Sequence, residues 1–120
     1  MKKILIVDDE QDILKVVKFR LIKAGYDVIT ASNGQEGLDT ARAIKPDLLL
    51  LDLSMPLLNG DEVCKRLKAD PATKHIPIIL MTASSKGVKD ENIFMAGMDD
   101  RILKPFEPED LFEKIKKLIG

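Results

Sequence analysis

Short, unbroken apolar runs alternate along the chain with longer segments whose apolar residues recur at helical spacing. Ile4-Leu5-Ile6-Val7 and Leu48-Leu49-Leu50-Leu51 are apolar at every position, the pattern of strands buried on both faces. Between Asp12 and Ala24, residues Ile13, Val16, Val17, Phe19, Leu21 and Ile22 mark a helix, and Gly25 stops it. Tyr26 to Thr30 alternates like a strand nearer a sheet edge. Ser32-Asn33-Gly34 supplies a turn or N-cap for a helix from Gln35 to Ile44, which ends before Pro46. Asp61 to Lys68 reads as a short helix closed by Asp70-Pro71, and Ile76 to Met81 as a strand entered through Pro77. Lys89 to Ala96 is a weaker helix stopped by Gly97. Arg101 to Leu103 is a short strand. Pro108 to Ile119 is a final helix turning Leu111, Phe112, Ile115, Leu118 and Ile119 inward.

Strands alternating with helices predict an α/β fold: a parallel sheet with helices on both faces, because parallel neighbours need right-handed crossovers. The 120 residues suit one domain, expected over 1–120, with no internal repeat or long linker. Apolar residues make up 45% and charged residues 32%, which excludes a disordered or fibrous chain. Nineteen Lys and Arg against twenty Asp and Glu give a net charge of −1, without the basic excess of a protein that grips nucleic-acid phosphates. The lone Cys64 cannot form an internal disulfide, so a reducing cytoplasm is expected. The apolar run after Lys2-Lys3 is too short for a signal peptide, and no run is long enough to span a membrane.

In an open α/β sheet, ligands bind outside the carboxyl ends of the strands. Here those ends carry Asp8-Asp9, Asp52, Thr82 and Lys104, while the second strand delivers only Thr30, Ala31 and Ser32. Taken singly each is an ordinary residue: a loop acid capping a helix, a turn residue, a strand-end hydroxyl, a solvated lysine. Gathered at one rim they are not. Two carboxylates about 6 Å apart repel by about 3 kcal/mol at an effective dielectric near 20. Three would raise one another's pKa unless a cation sits among them. Mg²⁺ meets that need, since it takes one or two carboxylates, keeps waters and accepts a phosphate oxygen. With Lys104 the formal charges sum to zero, and the site can receive an anionic phosphoryl group.

The order and spacing of Ile6-Val7-Asp8-Asp9-Glu10, Leu51-Asp52-Leu53-Ser54-Met55-Pro56 with Asn59-Gly60, Met81-Thr82-Ala83, and Gly97-Met98-Asp99-Asp100 leading to Leu103-Lys104-Pro105-Phe106 resemble the receiver domain of two-component response regulators. The resemblance covers residues 2–119. It implies a flavodoxin-like, three-layer sandwich of the chemotaxis-regulator type, with sheet order 2-1-3-4-5 and five helices. Asp52 would accept a phosphoryl group from a phosphohistidine on a sensor histidine kinase or histidine phosphotransfer protein. Aspartyl phosphate is established carboxylate chemistry. Asp8, Asp9, Asp52 and the backbone carbonyl of Ser54 would hold Mg²⁺, or Mn²⁺ in its place. Lys104, aimed by a cis bond to Pro105, would pair with a phosphate oxygen. Thr82 would bond another and so report phosphorylation. Ser54 and Ser84 would tune hydrolysis of the acyl phosphate. The output would be a changed protein-binding face, made by the fourth helix, fifth strand and fifth helix, on a monomer or a phosphorylation-dependent dimer.

One position departs from the family pattern. Three residues before the lysine the family usually carries Tyr or Phe, and here it is Arg101. A guanidinium would pay desolvation in an apolar slot, so Arg101 is expected to stay outward and contact a partner. His75 is expected to be solvated, and Cys64 to be a half-buried packing residue. Two other functions use the same residues. A phosphohydrolase with an Asp52 nucleophile would need a general acid and a cap, which the chain does not supply. A flavin-binding flavodoxin would need a phosphate loop after the first strand. A DNA-binding regulator enters only if the chain is a fragment.

Overall fold

The computed structural model describes residues 1–55, 57–82 and 97–120. Five strands, β1 (Lys3–Val7), β2 (Asp27–Ala31), β3 (Leu48–Asp52), β4 (Ile78–Thr82) and β5 (Asp100–Leu103), form one parallel sheet in the order β2-β1-β3-β4-β5. The helices among the described residues are α1 (Gln11–Lys23), α2 (Gly34–Ile44), α3 (Gly60–Ala69) and α4 (Pro108–Ile119). The helix expected over 89–96 lies outside the described residues. The sheet order is the expected one, and the strands with unbroken apolar runs are its centre.

Side chains alternate across the sheet, so each strand feeds two cores. Leu5, Val7, Leu49, Leu51 and Leu80 pack with Leu38 and Ala41 of α2 and Val63, Cys64 and Leu67 of α3. Ile4, Ile6, Leu48, Leu50, Ile79, Met81 and Ile102 pack with Leu14, Val17 and Leu21 of α1 and Leu111 and Ile115 of α4. Full burial of one such aliphatic side chain is worth about 1.5–3 kcal/mol. A polar substitution within the Leu48–Leu51 run would therefore break the core it faces, the α1–α4 side at Leu48 or Leu50 and the α2–α3 side at Leu49 or Leu51.

Several boundaries and burials differ from expectation. The β4 ladder starts at Ile78 rather than Ile76, because Pro77 has no N–H to give and contributes only its carbonyl, which accepts from Leu49 N at 2.9 Å. Cys64 is fully buried rather than half-buried, since it points from α3 into the core; burial pushes its thiol up to about 12, so it packs rather than reacts. In α1 the inward residues are Leu14, Val17 and Leu21, whereas Val16 and Phe19, each 58% exposed, and Ile22 face out. The helix α1 thus carries more apolar surface than the sheet covers. His75 is exposed, as expected.

Asn33 caps α2, its side-chain oxygen accepting from Glu36 N at 2.8 Å. Pro108 opens α4, where its missing N–H costs nothing. These starts fix the carboxyl-end loops relative to the sheet.

Candidate functional site

The carboxyl ends of β1, β3, β4 and β5 bring four of the expected side chains to one rim. Asp8 directly follows β1 and is 0% exposed. Its backbone N–H donates to Ala31 O of β2 at 3.1 Å, and its Oδ1 accepts from Glu10 N at 2.9 Å. Those two bonds pin the first turn after the strand and aim the carboxylate back over the sheet. Asp52 is the last residue of β3, 5% exposed, and sits opposite Met81 in the ladder. Gly60 backs it: a Cβ at residue 60 would collide with the Asp52 carbonyl oxygen, and Gly60 N donates to Leu53 O at 2.8 Å. α3 can start this close to the acceptor strand only because residue 60 has no side chain.

Lys104 lies at the centre. Its Nζ is 2.7 Å from Asp8 Oδ2, 3.4 Å from Asp52 Oδ1 and 3.5 Å from Glu10 Oε1. The Lys104 N–H donates to Thr82 O at 2.6 Å, which ties the end of β5 to the end of β4. The Lys104–Pro105 peptide is cis. Thr82 closes β4 and is buried. Ser54 is exposed in the loop after Asp52, and Ser84 lies outside the described residues. Arg101 is half-buried on the edge strand β5, opposite Leu80, and lines a groove of about 700 Å³ together with Leu103, Phe106, Asp110 and Lys114.

The charges do not balance. Carboxylate oxygens of Asp8, Asp9 and Asp52 all lie within 4.8 Å of one another, two of the three residues are buried, and one ammonium faces them. Desolvation first, and then the Asp8 charge, push the Asp52 carboxyl up from 3.8 to about 7, against the pull of Lys104. Burial alone would lower the Lys104 pKa; the Asp8 hydrogen bond and the charges of Asp52, Asp8 and Glu10 outweigh it and raise it. An all-oxygen donor set with surplus negative charge fits a small hard divalent cation, and fits a softer metal poorly.

Two features of the site were not read from the sequence as functional. Glu10 is a further carboxylate on Lys104, and its adjacency to Asp8-Asp9 was the signal available. An apolar groove of about 530 Å³ runs from Lys104 between α1 and the loop after β5, lined by Ile13, Val16, Val17, Pro105 and Phe106. It accounts for part of the apolar surface that α1 leaves uncovered. No helix among the described residues is long and apolar enough to cross a membrane.

The chain matches the response regulator receiver domain over residues 4–116. It is 41% identical over 118 residues to the alkaline phosphatase synthesis transcriptional regulatory protein PhoP of Bacillus subtilis, covering 98% of this chain and 48% of that protein. The chain thus spans about half the length of the curated relatives it matches. Its structure resembles the Vibrio cholerae chemotaxis protein CheY4 with a TM-score of 0.91 at 32% identity, covering 98% of each chain. It also resembles the receiver domain of a Pseudomonas aeruginosa sensor histidine kinase, whose structure has a magnesium ion coordinated in the active-site cleft. There the TM-score is 0.92 at 29% identity, over 99% of this chain and 98% of that one. Sheet order, acidic rim and matched residues agree: the chain belongs to the response regulator receiver domain family of two-component systems.

Proposed function

We propose that Asp52 is the phosphoacceptor and that the chain works as a phosphorylation-controlled binding module in the cytoplasm, residues 1–120 acting as one receiver unit. The observation that supports this best is the buried Asp52 carboxylate, held beside Lys104 and two further acids at the strand ends. In the reaction an Asp52 oxygen attacks phosphorus, the new O–P bond forms as the P–N bond to the donor histidine breaks, and the freed imidazole nitrogen keeps the electron pair. Lys104 exchanges part of its contact with Asp8 and Asp52 for a phosphoryl oxygen, and Thr82 donates its hydroxyl to another. Asp8, Asp9, Asp52 and the Ser54 carbonyl are the groups that would hold Mg²⁺, or Mn²⁺ in its place. Such an ion would neutralise charge on the transferring group and hold Asp52 ionised near neutral pH. Ser54 and Ser84 are the residues that tune how fast water removes the acyl phosphate, so the chain catalyses its own phosphorylation and dephosphorylation rather than turning over a separate substrate.

The donor is a sensor histidine kinase or histidine phosphotransfer protein, approaching over the apolar groove that begins at Lys104. Arg101 and the β5–α4 groove belong to the output face toward a downstream protein, on a monomer or a dimer formed on phosphorylation. A second reading makes the chain the receiver portion of a longer DNA-binding regulator. It is favoured by the half-length match to relatives such as the PhoP transcriptional regulatory protein. The test is acetyl phosphate with magnesium, read by intact mass. Wild type gains one phosphoryl group and Asp52→Asn gains none; an equal gain in both discards the proposal. Steady release of phosphate from many esters would favour a phosphohydrolase instead.

A further inference from the structure

Among the described residues three carboxylates meet Lys104, and the proposed chemistry gives Asp8 and Asp52 a task but leaves Glu10 without one. Glu10 stands at the N-cap of α1, where a short polar side chain commonly accepts from the first free N–H groups. Its side chain makes no such bond. Its Oε1 lies 3.5 Å from Lys104 Nζ, and the side chain is 61% exposed against 9% for Lys104. The backbone beneath it is fixed, with Glu10 N donating to Asp8 Oδ1 at 2.9 Å and Glu10 O accepting from Leu14 N at 3.2 Å. The carboxylate is also outside the converging set of Asp8, Asp9 and Asp52. It therefore bears on the site through Lys104, from the solvent side.

The sign of that effect follows from when the contact is made. Lys104 is hydrogen-bonded to Asp8 at 2.7 Å, while Asp52 and Glu10 hold it from 3.4 and 3.5 Å, before any phosphoryl group arrives. An interaction present in the resting site and opposed in the transition state slows a reaction. Glu10 meets both conditions: it attracts Lys104 where it rests, and its charge repels an incoming phosphoryl anion. We infer that Glu10 is a positioning residue that restrains Lys104 and slows phosphorylation of Asp52 by anionic donors. The inference rests on Asp52 being the phosphoacceptor. The donors most affected are small free phosphoryl anions such as acetyl phosphate, which bring no cation to offset the Glu10 charge. Because Glu10 is largely in solvent, the restraint is modest and screened by salt.

The experiment measures the rate of labelling by acetyl phosphate with magnesium in wild type, Glu10→Gln and Asp12→Asn. Asp12 is an acid at the same helix start, bordering the same groove as Glu10. Glu10→Gln keeps the size of the side chain and removes its charge; it should label about threefold faster in dilute salt, the scale of a half-exposed ion pair. Raising the salt from about 0.05 M to about 1 M should close most of that gap. Asp12→Asn should label at the wild-type rate. A second readout needs neither metal nor donor: in EDTA, the ¹⁵N resonance of Lys104 Nζ should shift in Glu10→Gln and hold its place in Asp12→Asn. A Glu10→Gln rate at or below wild type in dilute salt, or an unmoved Lys104 resonance, overturns the inference. So does an equal gain in Asp12→Asn, since overall charge rather than this contact would then act. If wild type labels, Asp52→Asn does not and Glu10→Gln gains nothing, this inference fails and the acceptor reading stands. If labelling survives Asp52→Asn, the acceptor reading fails and takes this inference with it.

Discussion

Two lysines organise the two ends of the sheet, and they differ in how their charge is met. At the amino end of β4, Lys68 Nζ bonds Asp99 Oδ2 at 3.0 Å and the carbonyls of Lys74 and Ile76 at 3.2 and 2.8 Å. Asp99 Oδ2 also accepts from Ile78 N at 2.8 Å. One cation meets one anion, and the remaining partners are neutral backbone groups that need satisfying anyway. This is a clamp joining α3, the turn before β4 and the approach to β5. At the carboxyl end, Lys104 meets Asp8, Asp52 and Glu10, with Asp9 close by. The balanced cluster holds the fold. The unbalanced one stores electrostatic repulsion that a cation and a phosphoryl group can relieve. Surplus charge, rather than burial or the presence of a lysine, separates the functional cluster from the structural one.

That contrast is testable by removing each lysine. Lys104→Met should slow labelling of Asp52 by acetyl phosphate about 10²–10³-fold, the usual cost of deleting one preorganised stabiliser of transition-state charge. Lys68→Met should leave that rate within twofold or so by the same rate assay. Equal losses in the two variants would erase the distinction.

The next largest effect is on stability. Because Asp52 titrates at about 7 in the folded chain and at 3.8 when unfolded, the folded chain holds a proton that the unfolded chain has released between those values. Without divalent metal, stability therefore falls as pH rises from about 4 to about 7 and does not recover above. Three units correspond to about 4 kcal/mol as an upper bound. Urea unfolding of wild type and Asp52→Asn in EDTA at pH 5 and pH 8 measures it: the variant should gain on wild type at pH 8. Lys104 acts in the same direction, in a higher pH range. Its raised pKa adds stability at all lower pH and loses it only in the alkaline range.

Magnesium should reverse part of that loss. At a free concentration about a hundred times its dissociation constant, it should add about 2.7 kcal/mol at pH 8. Asp9→Asn should need more magnesium for the same gain, while Lys68→Met should respond like wild type. Smallest is the clamp itself: Lys68→Met should cost about 1–3 kcal/mol by urea unfolding, with or without magnesium, from the hydrogen bonds it leaves unmade.

Most of the fold is legible because parallel strands covered on both faces must be apolar at every position, as in Ile4–Val7 and Leu48–Leu51. The rim is legible for a related reason. Asp8, Asp52, Thr82 and Lys104 sit where those runs stop, and the sheet carries every strand end to the same side. What escaped depends on contacts between distant residues, or on backbone choices that side chains do not announce. Periodicity marks Val16, Phe19 and Ile22 as apolar, but cannot say that the sheet has no room left for them. The Lys68–Asp99 pair joins residues far apart in sequence and has no local signature. Leucine is among the last residues expected in the left-handed region, so Leu57 leaves no trace in the sequence pattern.

The central claim is that the acidic rim makes Asp52, and no other group, the carrier of an acyl phosphate. Its most direct measurement is borohydride trapping after acetyl phosphate treatment with magnesium, followed by peptide mass mapping. The account predicts reduction to homoserine at residue 52, lost with EDTA and in Asp52→Asn. A reduced carboxylate elsewhere, or labelling that survives Asp52→Asn, would contradict it.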